Sequence, residues 1–76
     1  MKLTLVTRRN CHLCDEVAHL LTTRRIPFEP ADVDRSPELL ALYHEAVPVL
    51  LADGREICRA PITPASLLNA LRSVTG

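Results

Sequence analysis

The chain opens on an alternating segment. From Lys2 to Thr7, Leu3 and Leu5 fall on one side and Thr4 and Val6 on the other, which is the period of a strand apolar enough to be central. After Asn10 the period lengthens. Leu13, Val17, Leu20 and Leu21 make one helical stripe. Asp15 and Glu16 fall in the expected first turn and Arg24 and Arg25 in the expected last turn, where their charges complement the helix dipole. Pro27 stops this helix. Phe28 to Val33 reads as a second strand, and Pro30 within it, which cannot donate to a ladder, places that strand at a sheet edge.

Ser36-Pro37-Glu38 is a helix start: a capping serine, a proline at the first helical position, then an acid. Leu39, Leu40 and Tyr43 carry the short helix that follows. Val47-Pro48 closes the connection, Val49 to Ala52 form the third strand, Asp53-Gly54 is a hairpin turn, and Arg55 to Arg59 return antiparallel as the fourth strand. Thr63-Pro64 starts the last helix, with its stripe at Leu67, Leu68, Leu71 and Val74. The order is β-α-β-α-β-β-α. A parallel pair joined by a right-handed crossover, followed by a hairpin and a covering helix, predicts an α/β fold. Its single four-stranded mixed sheet has helices on both faces.

At 76 residues the chain is one domain, 1–76, and no linker or repeat divides it. Phe28 and Tyr43 are its only aromatics, so the core must be aliphatic. Nine basic residues balance nine acidic ones, which argues against a nucleic-acid partner. No apolar run approaches the roughly 18 residues of a spanning helix. The start of the chain, short in apolar residues and leading into Arg8-Arg9, does not read as a signal peptide. The expectation is a cytoplasmic protein with no membrane partner. Three cysteines, an odd and low count, make a poor disulfide framework, so the close pair points to redox or metal chemistry.

That pair is Cys11-His12-Leu13-Cys14, between the first strand and the first helix. At a helix N-terminus, free backbone N–H groups and the dipole favour an anion, and a thiolate is the reactive form of cysteine. Such a site lowers a thiol pKa from about 8.5. Cys14, one turn on, points back toward Cys11, and the two can close a disulfide and reopen it by exchange. Arg8, Arg9 and His12 add positive character, which Asp15 and Glu16 oppose. A structural zinc site needs four ligands, and His12, His19, His44 and Cys58 provide no second pair at ligand spacing. His12 reads either as a neutral exposed ring or as a charged partner of the thiolate. His19 and His44 read as solvated, and Cys58 as a small apolar residue of the fourth strand. Arg8 and Arg59 read either as anion-binding groups or as solvated side chains.

With Cys-x-x-Cys between strand and helix, Val47-Pro48 opening the third strand, and the Asp53-Gly54 hairpin feeding the last helix, the whole chain resembles the thioredoxin superfamily. Within it the chain is most similar to short glutaredoxin-like proteins. The resemblance implies that Cys11 attacks and Cys14 resolves. It also implies that the Val47–Pro48 bond is cis, so that the backbone of Val47 pairs with an extended substrate beside the cysteines. Arg8, His12 and Arg59 join Val47 and Pro48 as candidate substrate contacts. Two departures stand out. His12-Leu13 replaces the Pro-Tyr of glutaredoxins. Arg59-Ala60-Pro61-Ile62-Thr63 replaces their Gly-Gly and acid, which hold one end of glutathione. The implied activity is thiol–disulfide exchange without a bound cofactor or metal, with glutathione a candidate electron donor. The implied partner is a disulfide-containing protein or a small thiol, met by a monomer. Two rival readings are a thioredoxin-like binding module with little exchange activity and an iron–sulfur or metal carrier built across a dimer.

Overall fold

The computed structural model describes residues 2–75. Its elements are β1 (Leu3–Thr7), α1 (His12–Thr23), β2 (Glu29–Asp32), a 3-10 turn (Val33–Arg35), α2 (Pro37–Tyr43), β3 (Val49–Ala52), β4 (Arg55–Arg59) and α3 (Pro64–Thr75). The sheet order is β2-β1-β3-β4, with β2 parallel to β1 and the other neighbours antiparallel. The order of elements along the chain is the predicted one, and Pro30 lies on an edge strand. Among the described residues no helix is long and apolar enough to cross a membrane.

The alternation in β1 decides the two cores. Leu3 and Leu5, with Leu50 and Ala52 of β3, face Val17 and Leu21 of α1 and Leu67 of α3. Val6, Val49 and Leu51 face the other way, against Val33 and Tyr43, with Leu39 of α2 packed beside them. Two helices thus cover one face and α2 covers the other, so helices lie on both faces as expected.

Several expectations shift. Lys2 lies outside β1; its N–H donates to the Asp53 carboxylate at 2.8 Å and its carbonyl accepts from the Asp53 N–H, also at 2.8 Å. Phe28 and Val33 lie outside β2. Phe28 packs against the α1–α3 core, while the Asp32 carboxylate accepts from the Asp34 N–H at 2.9 Å and winds Val33 into the 3-10 turn. α1 ends at Thr23, so Arg24 and Arg25 are not in its last turn. Arg25 instead takes a left-handed conformation (φ 57°), and the Ile26 N–H reaches the Leu21 carbonyl at 2.9 Å while the Arg25 N–H reaches that of Thr22 at 3.0 Å. This pair of bonds is a Schellman ending.

Helix stripes are also rotated from their predicted phase. The buried positions of α1 are Cys14, Val17 and Leu21, and Leu13 is 53% exposed. In α2 the pair Leu39 and Tyr43, one turn apart, faces inward and leaves Leu40 largely outside. In α3 the predicted Leu67 is buried and Leu71 packs against the same core, while Ala70 joins the buried face and Val74 is exposed.

The hairpin turn uses left-handed backbone at both central residues, Asp53 (φ 51°) and Gly54 (φ 85°), as a two-residue loop between twisted strands requires. A Cβ at Gly54 would meet nothing within 4 Å, so conformation rather than space selects glycine there. β4 also carries a bulge: Leu50 pairs with Cys58 but Leu51 pairs with Glu56, leaving Ile57 as the extra residue. Ile57 and Cys58 therefore both pack against the α1–α3 core. Glu56 and Arg59 both turn to the α2 face.

Candidate active site

Asn10 (φ 60°) turns the chain from the end of β1 into α1. Cys11 follows as the N-cap, with extended backbone (φ −99°, ψ 102°). Its Sγ accepts a hydrogen bond from the Cys14 N–H at 3.1 Å. A sulfur thus takes the place of the oxygen that usually caps a helix, and one of the free N–H groups of the first turn is aimed at it. Cys11 is half-buried and Cys14 is 2% exposed. The two Sγ atoms are bonded as a disulfide, with the Cα atoms 5.2 Å apart. The rotated stripe of α1 produces this asymmetry, because Cys14 shares the inward face with Val17 and Leu21.

The Val47–Pro48 peptide is cis. Pro48 is buried, and its carbonyl accepts from the Ala60 N–H at 2.9 Å, tying the end of β4 to the start of β3. Pro48 and Leu13 line one small cleft with Pro61, so the connection before β3 reaches the cysteine motif. The side chain of Val47 packs the other way, into the core beneath α2. Its N–H and carbonyl have no hydrogen-bond partner among the described residues.

Each of the candidate charged residues stands beside a carboxylate. Arg8 forms a two-pronged pair with Asp34 of the 3-10 turn, at 3.0 and 3.2 Å. Arg59 does the same with Glu56, at 2.7 and 2.6 Å. The hydrogen bonds from Arg59 hold the Glu56 carboxyl below the usual carboxylate range against a small opposing effect of burial, and Glu56 in turn raises Arg59. Arg59 lines a cleft of about 470 Å³ with Tyr43, His44 and Ala46 on the α2 side of the molecule. His12 is exposed, with Nε2 3.4 Å from Glu16. His19 is exposed on α1, His44 is exposed beside Glu45, and Cys58 is half-buried with Sγ 3.8 Å from the Ser66 hydroxyl.

Sequence reading missed the loop from β4 to α3. Ala60–Pro61 is a second cis peptide. The Thr63 hydroxyl accepts from the Ser66 N–H at 3.1 Å while the Ser66 hydroxyl accepts from the Thr63 N–H at 2.9 Å. Thr63 at the expected cap signalled half of this reciprocal arrangement; a serine in the glutamate position concealed the rest. Between Ala60 and Ser66, Pro61 and Pro64 carry no N–H, and those of Ala60, Thr63 and Ser66 are already engaged. Backbone donors for a carboxylate are therefore reduced to Ile62 and Ala65. Among the described residues no group of three or more His, Cys, Asp or Glu side chains stands together as a metal site.

Comparisons with known proteins agree with this geometry. A solved protein from X. campestris, XcR50, is 34% identical over 93% of this chain and 96% of its own, with a TM-score of 0.80. The protein Ne2328 from Nitrosomonas europaea is 30% identical over 90% of this chain and 87% of its own, with a TM-score of 0.72. A buckwheat glutaredoxin solved as its glutathione complex shares the fold at 18% identity, over 95% of this chain and 69% of its own, with a TM-score of 0.64. No curated protein matches the sequence. Residues 2–72 match the glutaredoxin-like domain (DUF836). With its Cys-x-x-Cys pair at the head of α1 in a thioredoxin-like fold, the chain belongs to the glutaredoxin-like domain family.

Proposed function

We propose that the protein is a thiol–disulfide oxidoreductase working through Cys11 and Cys14. The observation that carries the reading is the disulfide at the head of α1, with one cysteine half-buried and its sulfur capped by a backbone N–H and the other cysteine buried. In the reduced protein Cys11 attacks a substrate disulfide, forming a mixed disulfide and releasing one substrate thiol. Cys14 then attacks the Cys11 sulfur, releases the second thiol and closes the internal disulfide. Two electrons pass from the dithiol to the substrate, and a thiol donor restores the dithiol. The N–H and carbonyl of Val47, without partners among the described residues, support docking of an extended substrate beside the pair.

The chemistry requires no bound cofactor. Glutathione or a reductase fits as donor, in the cytoplasm, where thiols are kept reduced. The N–H count between Ala60 and Ser66 favours protein disulfides driven by a dithiol over glutathione mixed disulfides. The charges and bulge of β4, which discourage edge-to-edge pairing, support a monomer. Dithiothreitol-driven reduction of insulin tests the main reading: the wild-type protein accelerates it, Cys11→Ser does not, and Cys14→Ser accumulates mixed disulfides on Cys11. An active Cys11→Ser variant would overturn the assignment. Faster reduction of a glutathione mixed disulfide than of insulin would overturn the substrate preference.

A further inference from the structure

Arg8, Arg9 and Asn10 join β1 to Cys11. A long-range tie holds this connection. The Arg8 guanidinium donates through Nε to one Asp34 oxygen at 3.0 Å and through Nη2 to the other at 3.2 Å. Asp34 stands on a fixed post: its N–H is taken by the Asp32 carboxylate at 2.9 Å, and Val33 beside it is fully buried in the core with Tyr43. Other charges surround the cysteine motif. On α1, His12 pairs with Glu16, and Asp15 lies in the first turn. Arg9 shares the connection with Arg8, Arg35 follows Asp34, and Glu38 opens α2. Before β3, His44 stands beside Glu45, and at the end of β4 Arg59 is paired with Glu56. Residues 60–63, before α3, carry no charge. Of the paired arginines, Arg8 is the one on the segment that leads into Cys11. Three Cα–Cα steps of about 3.8 Å cap its Cα separation from Cys11 at about 11 Å, close to the Debye length of about 10 Å in 0.1 M salt. An unneutralised charge at that range acts on the sulfur, and a neutralised one acts far less.

We infer that Asp34 is a positioning residue of the cysteine pair: its two-pronged hold on Arg8 keeps that guanidinium from stabilising the Cys11 thiolate. The inference rests on the oxidoreductase reading and names a residue that sets the redox poise of its site. The reduced pair is a Cys11 thiolate and a Cys14 thiol. Glutathione disulfide oxidises it in two exchanges. Cys11 attacks and releases one glutathione thiolate, then Cys14 gives up its proton, closes the ring and releases the second glutathione. Two electrons pass from the pair to glutathione. A cation near Cys11 favours the reduced side alone, because the closed disulfide presents no charge to it. Holding Arg8 on Asp34 therefore makes the pair the stronger reductant.

The test compares the wild-type chain with Asp34→Asn, Arg8→Gln and the double variant. The two side chains are 33% and 49% exposed, open enough to be replaced without loss of the fold. One readout is the Cys11 alkylation midpoint in about 0.01 M salt, where the Debye length is about 30 Å. The other, at a pH above that midpoint, is the equilibrium with glutathione and its disulfide. Mass spectrometry follows both. Asp34→Asn is expected to lower the midpoint by about half a pH unit and to disfavour oxidation about three-fold. Arg8→Gln leaves Asp34 unpaired and is expected to do the reverse, and the double variant to return close to wild type. In about 1 M salt the differences are expected to vanish. A pair that merely fixed the connection would move all three variants in one direction and in both salts, and that pattern overturns the inference. So do midpoints and equilibria that stay put. Should Asp34→Asn fail to fold, Arg8→Gln decides: a rise that salt abolishes supports the inference, and a rise indifferent to salt overturns it. Insulin reduction is scored separately, since neither readout needs catalysis. A wild-type chain that leaves insulin intact sinks the oxidoreductase reading even where the opposed shifts appear. An active chain with unmoved midpoints sinks the role of Asp34 alone.

Discussion

Cys11 combines two roles at one position, since the sulfur that caps α1 also belongs to the less buried half of the disulfide. A thiolate accepts from the Cys14 N–H more strongly than a thiol does. Cys11 is therefore expected to alkylate before Cys58 and the buried Cys14 in the reduced protein, with a midpoint below about 8.5. Iodoacetamide labelling across a pH series, read by mass spectrometry, checks this; Cys58 labelling first would contradict it. Arg25 offers a prediction independent of function. It holds a left-handed conformation at the position after the helix cap, where glycine avoids the Cβ cost. Arg25→Gly is expected to stabilise the fold by about 0.5–1 kcal/mol, read as a higher urea midpoint. At Glu56 the sign follows from the lowered carboxyl. Stability from the Arg59 pair is present above the ordinary glutamate value of about 4.3 and is lost as pH falls through the lowered folded value. The difference in urea midpoint between wild type and Glu56→Gln should shrink on acidification and vanish once the carboxyl is protonated.

Elements divide by how they are held. α1 and α3 share one core through Val17, Leu21 and Leu67, whereas α2 has seven residues and leans on Leu39 and Tyr43 against the opposite face. Leu67 is fully buried and joins α3 to the sheet, so Leu67→Ala is expected to cost about 2–5 kcal/mol. Leu42, 67% exposed on α2, is a matched control expected within about 0.5 kcal/mol of wild type. Chemical denaturation of the two variants measures both. Such a loss from Leu67 would leave so small a domain little margin. The boundaries that differed from expectation did so for local reasons. Asp32 captures the Asp34 N–H and ends β2, and the Schellman bonds end α1 before its arginines.

At the scale of the molecule, the site exists because three separated segments converge. The head of α1, the Val47–Pro48 connection and the loop before α3 meet around Leu13, Pro48 and Pro61. The order of elements, the edge position of β2, the hairpin and the cysteine motif were legible in the sequence. Each follows from local chemistry: strand and helix periods, the donor that proline lacks, the left-handed backbone that Asp-Gly tolerates, and a cap followed by proline. Periodicity also determined that β1 would face two cores. It left helix phase open within a residue, because Leu13 and Cys14 are both apolar enough for the inward face. Packing against the sheet chose Cys14, which buried the second cysteine and left Leu13 lining the small cleft with Pro48 and Pro61. The partners of Arg8 and Arg59 were likewise decided by tertiary structure. Asp34 lies 26 residues from Arg8, and only the bulge at Ile57 brings Glu56 to the same face as Arg59. A charge shows its sign in the sequence, but its partner depends on which surfaces the sheet brings together.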